Sequence, residues 1–186
     1  GGFREGKGTS FEGGQRVPAI IRWPNVVPKG KVANQLLSTI DVLPTISKIT
    51  GARLPKEKID GVEFTKVLEG DEKVTPRTEF LYYYRANNLE AVRKHNWKLV
   101  FEHPGRTYEG QIPGQNGQPG PAPENFLHTR ALYDLTRDPG ERYNVLDQHP
   151  DIVTELEQIA ANAREDLGDD LQKQPGKNRR PVGTVE

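Results

Sequence analysis

Apolar residues fall along this chain in short, separated clusters, and the spacing within each cluster predicts its element. Val17-Pro18-Ala19-Ile20-Ile21-Arg22-Trp23 is a short apolar run bounded by turn signals at Pro24 and at Pro28-Lys29-Gly30. That pattern predicts a buried strand, with Pro18 near its start. Leu43, Ile46 and Ile49 then recur at helical spacing with Val42 beside them. A helix is predicted there, capped by Asp41 and ended by Gly51. Val67 and Leu68 predict a short helical turn that Gly70 closes. From about residue 78 the pattern turns to strands: 80–84, rich in tyrosine, then 89–92 and 97–101, the last two joined by a tight hairpin at Lys94-His95-Asn96. Residues 131–135 predict a fourth strand that joins this sheet, since a lone strand would be unstable. Between them, residues 104–124 are rich in Gly, Pro and Gln and predict a long loop. The last element is a helix over residues 150–167, with Val153, Leu156, Ile159, Ala160, Ala163 and Leu167 as its apolar stripe and Gly168 as its C-cap. Residues 172–186 are polar and basic and predict a mobile tail.

Composition narrows the function classes. Hydrophobic residues make up only 33% of the 186, against 19 Gly and 15 Pro. That suits a loop-rich chain, or a piece whose core is completed by a missing partner. The 26 basic and 26 acidic side chains balance, so the positive footprint of a nucleic-acid binder is missing. There is no cysteine, which excludes disulfides, thiolate metal sites and a cysteine nucleophile. No apolar run approaches the length of a membrane span. The first six residues lack an apolar segment and an initiating Met, so the start reads as a cut inside a larger protein.

The most informative stretch is Gly6-Lys7-Gly8-Thr9-Ser10-Phe11-Glu12-Gly13-Gly14-Gln15-Arg16-Val17-Pro18. Glycines on both sides of Lys7 permit a tight backbone and close approach of an anion. A lysine there is a compact point charge suited to a tetrahedral oxyanion. Local chemistry alone favours a flexible surface loop with a solvated lysine, and the spacing is not that of a P-loop.

Taken whole, with Ile20-Ile21-Arg22-Trp23-Pro24 after it, the stretch resembles the second signature region of the formylglycine-dependent sulfatases. The resemblance continues in family order through Ser38-Thr39-Ile40-Asp41-Val42-Leu43-Pro44-Thr45, Asp60-Gly61-Val62, Asn96-Trp97-Lys98-Leu99, and Leu132-Tyr133-Asp134-Leu135 with Asp138-Pro139-Gly140-Glu141. The long loop and Asp166-Leu167-Gly168-Asp169-Asp170 look most like bacterial arylsulfatase A-like and N-acetylgalactosamine-6-sulfatase-like members. The resemblance implies the C-terminal part of an α/β, alkaline-phosphatase-like fold: residues 1–75 as the end of the catalytic domain, 76–171 as a small antiparallel sheet with a C-terminal helix, and 172–186 as a flexible tail. It implies hydrolysis of a sulfate ester, aryl or carbohydrate, in the periplasm or outside the cell. Lys7 would be the catalytic lysine that binds the sulfate. The formylglycine nucleophile and the calcium ligands would lie in the remainder of the sulfatase chain, because Ser10, Ser38 and Ser47 lack the Pro-x-Arg context. No metal ligand is assigned here, and the piece is expected to be inactive alone.

Other polar residues have two readings. His103, Arg106 and Tyr108, at the mouth of the long loop, suit recognition of a sulfated sugar or equally an ordinary polar loop. Glu12 and Arg16 read as an ion pair that braces the signature loop. His95, His128 and His149 read as structural or solvated. The rival to a sulfatase is a non-catalytic carbohydrate- or protein-binding α+β module.

Overall fold

The computed structural model describes residues 2–179. They form two compact units. One holds the described residues up to Val17 and from Glu79 onward; the other spans Pro18–Thr78. The sequence instead suggested a division after residue 75.

The first unit is built on a four-stranded antiparallel sheet of order β1-β2-β3-β6. Its strands are β1 (Glu79–Tyr84), β2 (Asn88–Lys94), β3 (Trp97–Val100) and β6 (Ala131–Asp134). Lys94 pairs with Trp97, so His95 and Asn96 form a two-residue hairpin turn, His95 with φ of 51°. The strand at 131–134 joins the sheet beside β3, with Val100 opposite Ala131 and Trp97 opposite Asp134.

Alternation along each strand gives the sheet two covered faces. Leu89, Val92, Leu99 and Leu132 pack on Leu156, Ala160 and Ala163 of the helix α4 (Pro150–Leu167). Tyr82, Ala91, Val100, Ala131 and Tyr133 face the other way and enclose Phe11 of the signature loop. The register shifts between Tyr82 and Tyr83, which pair with Ala91 and Leu89. Glu90 is therefore the extra residue of a β-bulge, a device that re-aims a side chain. The long loop is bounded by two strands that its composition did not reveal, β4 (His103–Gly105) and β5 (Phe126–His128), which pair with each other.

The predicted mobile tail is ordered up to residue 179. Asp169 bridges to Gln174, and the amides of Lys177 and Asn178 donate to Glu165 and Asp166 carbonyls at 2.8 and 2.7 Å. The chain thus folds back on the end of α4 because that helix's last acidic turn is there to receive it. Residues 180–186 lie outside the described residues.

In the second unit α2 (Val42–Thr50) ends at Gly51 in the left-handed conformation, and α3 (Thr65–Leu68) supplies the short turn. Phe64, Val67 and Leu68 form its small core with Trp23, Val27, Leu37 and Ile49. The buried strand expected at residues 17–23 is not formed: the segment has no ladder partner among the described residues, and Ile20 is 96% exposed. An apolar run becomes a buried strand only when neighbours bind its edges and cover its faces, and the described residues do neither. The same holds for the Leu43 and Ile46 side of α2, which is exposed.

Asp41 precedes the helix, as expected, but its side chain makes no capping bond to it. Fully buried, it accepts from the Ser38 and Val62 amides at 2.8 and 2.9 Å and pairs with Arg77. Burial would raise its pKa, but Arg77 and the two amides together hold it below the usual carboxylate value. Its contribution to stability is therefore complete above 3.8 and is lost as the pH falls below that toward the depressed value. Arg77→Met should cost about 1–3 kcal/mol at neutral pH, because a buried charged acceptor loses its donor. Urea unfolding monitored on this unit should also show a weaker loss in the variant as the pH falls below 3.8.

Candidate functional site

The signature loop is held against the first unit's sheet by a buried ion cluster. Lys98, on β3, is fully buried. Its ammonium lies 2.7 Å from Glu141 and 3.2 Å from Glu12, donates to the Ser10 carbonyl at 2.8 Å, and sits 4.2 Å from the centre of the Tyr82 ring. Glu141 reaches further, accepting from the Glu12 amide at 2.7 Å. Burial alone would depress the Lys98 pKa; Tyr82, Glu141 and Glu12 beside it outweigh burial and raise it. Burial, with Glu12 nearby, pushes the Glu141 carboxyl up against the opposing pull of Lys98. The loop-bracing role expected of Glu12 is thus met through Lys98, with Arg93 3.9 Å away, and not through Arg16. Arg16 is exposed, with its guanidinium over the Phe3 ring.

A second set of bonds joins Ser10 to the bulge. Ser10 Oγ donates to Glu90 at 2.7 Å, and Glu90 lies 3.2 Å from His103 Nε2. His103 Nδ1 faces the Phe101 carbonyl at 2.8 Å, so that nitrogen carries a proton. His103 was expected to be placed to meet a sugar, but it is only 2% exposed, and both ring nitrogens are committed inside the protein. His128 is buried beside it and against Phe11. Its Nε2 faces the Arg106 carbonyl at 2.9 Å, and burial lowers its pKa.

Lys7 stands at the open end of this loop. Its side chain is exposed, and among the described residues its ammonium makes no hydrogen bond or ion pair. Its backbone is held from the long loop: Tyr108 Oη donates to the Lys7 carbonyl at 2.8 Å, and Arg106 Nη1 lies 3.4 Å from the same oxygen. Arg106 is itself bound to Glu124, with Nε donating at 2.7 Å. The structure thus brings Lys7, Arg106 and Tyr108 together and sends His103 to the interior. The described residues contain no group of three or more His, Asp or Glu side chains able to hold a metal. No helix among them is long and apolar enough to cross a membrane.

Two family models match the chain. One, described as the C-terminal region of aryl-sulfatase, covers residues 76–183; the other, the C-terminal part of N-sulphoglucosamine sulphohydrolase, covers residues 6–100. The chain belongs to the sulfatase family. It is similar to steryl-sulfatase of Mus musculus, with 40% identity over 151 residues, 76% of this chain and 24% of that protein. It is also similar to arylsulfatase A of Homo sapiens, with 33% identity over 168 residues, 84% of this chain and 32% of that protein. A solved protein from a Bacteroides thetaiotaomicron locus for metabolism of multiple glycosaminoglycans has the same fold. It is 28% identical with a TM-score of 0.66, over 88% of this chain and 32% of that one. The sulfatase sequence in hand therefore spans about a quarter to a third of the length of these relatives, and its fold is the C-terminal α/β portion of an alkaline-phosphatase-like sulfatase.

The sulfatase resemblance and the geometry converge on the same fragments. Glu12, Lys98 and Glu141 come from three separate signature pieces and meet in one ion cluster. Asp41 and Val62 come from the two others and meet at 2.9 Å. Lys98, Glu141 and Glu90 were not singled out beforehand as site-building residues. For Lys98 and Glu141 the available signal was a charged residue inside a resemblance piece; Glu90 lies outside those pieces.

Proposed function

We propose that this chain is the C-terminal part of a sulfatase that hydrolyses sulfate esters, aryl or carbohydrate, and that Lys7 presents its ammonium to the sulfuryl oxygens. The reading is supported above all by an exposed ammonium, without a partner among the described residues, on a turn whose backbone is pinned. A lysine solvated by chance needs no such anchorage, whereas a charge that stabilises a developing oxyanion does. Sulfuryl transfer places negative charge on the oxygens around sulfur and on the leaving oxygen, and a fixed cation offsets both. The nucleophile, read as formylglycine, and the calcium would be supplied by the rest of the protein, so the chain by itself is inactive. The site of action is periplasmic or extracellular. Of the residues expected to meet the rest of the substrate, Arg106 lies beside Lys7 with an exposed edge, while His103 is buried and bonded within the protein. Steady-state kinetics of Lys7→Ala in the intact enzyme test the reading: turnover should collapse, and near-normal turnover would overturn it.

A further inference from the structure

With no partner for its ammonium among the described residues, Lys7 is fixed in place through its backbone alone. One segment of the long loop does the fixing. Tyr108 donates its hydroxyl to the Lys7 carbonyl at 2.8 Å, and Arg106 lies against the same oxygen. Glu5 ties the segment back from the other side, accepting from Thr107 Oγ1 at 2.7 Å and from the Tyr108 amide at 2.6 Å.

The glycines that flank Lys7 fit this arrangement. A Cβ on Gly6 would stand 3.2 Å from the Tyr108 ring. Gly8 has φ of +98°, and a Cβ there would stand 2.9 Å from Arg106 Nη1. The space beside Lys7 that glycine was expected to clear for an anion is occupied by Tyr108 and Arg106.

We propose that Tyr108 is a positioning residue for Lys7: its hydroxyl, flanked by Arg106 and carried on a backbone that Glu5 holds through the Tyr108 amide, sets where the ammonium stands relative to the sulfuryl group. This rests on the reading of Lys7 as the cation that meets the sulfate. A displacement of a catalytic group by about 1 Å is enough to cost a hundredfold in rate, so a single hydrogen bond to the carrier backbone has leverage over the chemistry.

Tyr108→Phe keeps the ring against Gly6 and removes only the hydroxyl. In the full-length enzyme its kcat should fall by about ten- to a hundredfold on para-nitrophenyl sulfate and on a sulfated hexosamine alike, with the ratio of the two KM values unchanged. In a Lys7→Ala background it should cause no further loss. In the same enzyme the amides of residues 6–9 should exchange hydrogen faster. A loss confined to the hexosamine ester would make Tyr108 a substrate contact and overturn the proposal. Unchanged kcat with unchanged exchange would overturn it too, while a collapse in Lys7→Ala would leave the reading of Lys7 intact. If Lys7→Ala itself keeps normal turnover, that reading fails separately, and the exchange measurement alone decides whether Tyr108 holds the turn.

Discussion

Replacing Lys98 with methionine should destabilise the unit that contains it by about 3–5 kcal/mol, the range for removing one partner from a buried ion pair. The side chain is fully buried and is the nearest cation to two buried carboxylates, Glu141 at 2.7 Å and Glu12 at 3.2 Å. Methionine fills the volume, so the loss reports charge and not a cavity. Without the ammonium, only the hydrogen bond from the Glu12 amide is left to oppose the burial that already raises the Glu141 pKa. It should then be more stable protonated, so the deficit should shrink as the pH is lowered toward the ordinary glutamate value of 4.5. Adding Glu141→Gln to Lys98→Met should recover part of the loss, because neighbours in one network are not additive. Urea unfolding of Lys98→Met, Glu141→Gln and the double variant at pH 5 and pH 7 would measure this. Equal losses at both pH values, or full additivity, would mean that the cluster is not carrying charge as the geometry indicates. Because the same ammonium binds the Ser10 carbonyl, the signature loop should loosen along with the sheet.

Elements whose partners lie nearby in sequence were legible, and so was the strand at 131–134; several features with other distant partners were not. The stripe of α4 needs only its own period to be seen, and the helix occupies Pro150–Leu167 as expected. The β2–β3 hairpin closes over two residues and needs no remote information. Residues 17–23 have the same kind of apolar signal, yet a strand is a property of its neighbours, and the described residues provide none. Lys98 fails in the opposite sense. Between Trp97 and Leu99 an alternating pattern assigns it to a solvated face, and that would be right if nothing covered the second side of the sheet. The cover is Phe11 and Glu12, more than eighty positions earlier, and no local period can announce it. His103 was misplaced for a related reason: its loop looked polar and open, but β4 and β5 pair across it and close the ring inside. The family was more legible than the packing. The resemblance ran through polar and glycine residues in fixed order, and those are the residues that meet in the ion cluster and at Asp41.

In the intact enzyme, Lys7→Ala should lower kcat by about a hundredfold or more, the scale for losing one preorganised donor that stabilises transition-state charge. The effect should appear on every sulfate ester the enzyme accepts, because the sulfuryl group is what they share, and kcat should suffer more than KM because the charge grows between ground state and transition state. Lys7→Arg should restore little. The backbone of this turn is fixed by Tyr108 and crowded by Arg106 on the Gly8 side, so a longer, planar guanidinium cannot take the position of a compact ammonium without moving one of them. Stability should barely change in either variant, since the ammonium is exposed and bonds to nothing among the described residues. That contrast separates Lys7 from Lys98, whose loss should appear first in unfolding. Steady-state kinetics on two unrelated sulfate esters, with thermal unfolding of the same preparations, would measure both sides. If Lys7→Ala turned over both esters at near-normal rates while remaining folded, the pinned turn would have some purpose other than placing a charge on the sulfate.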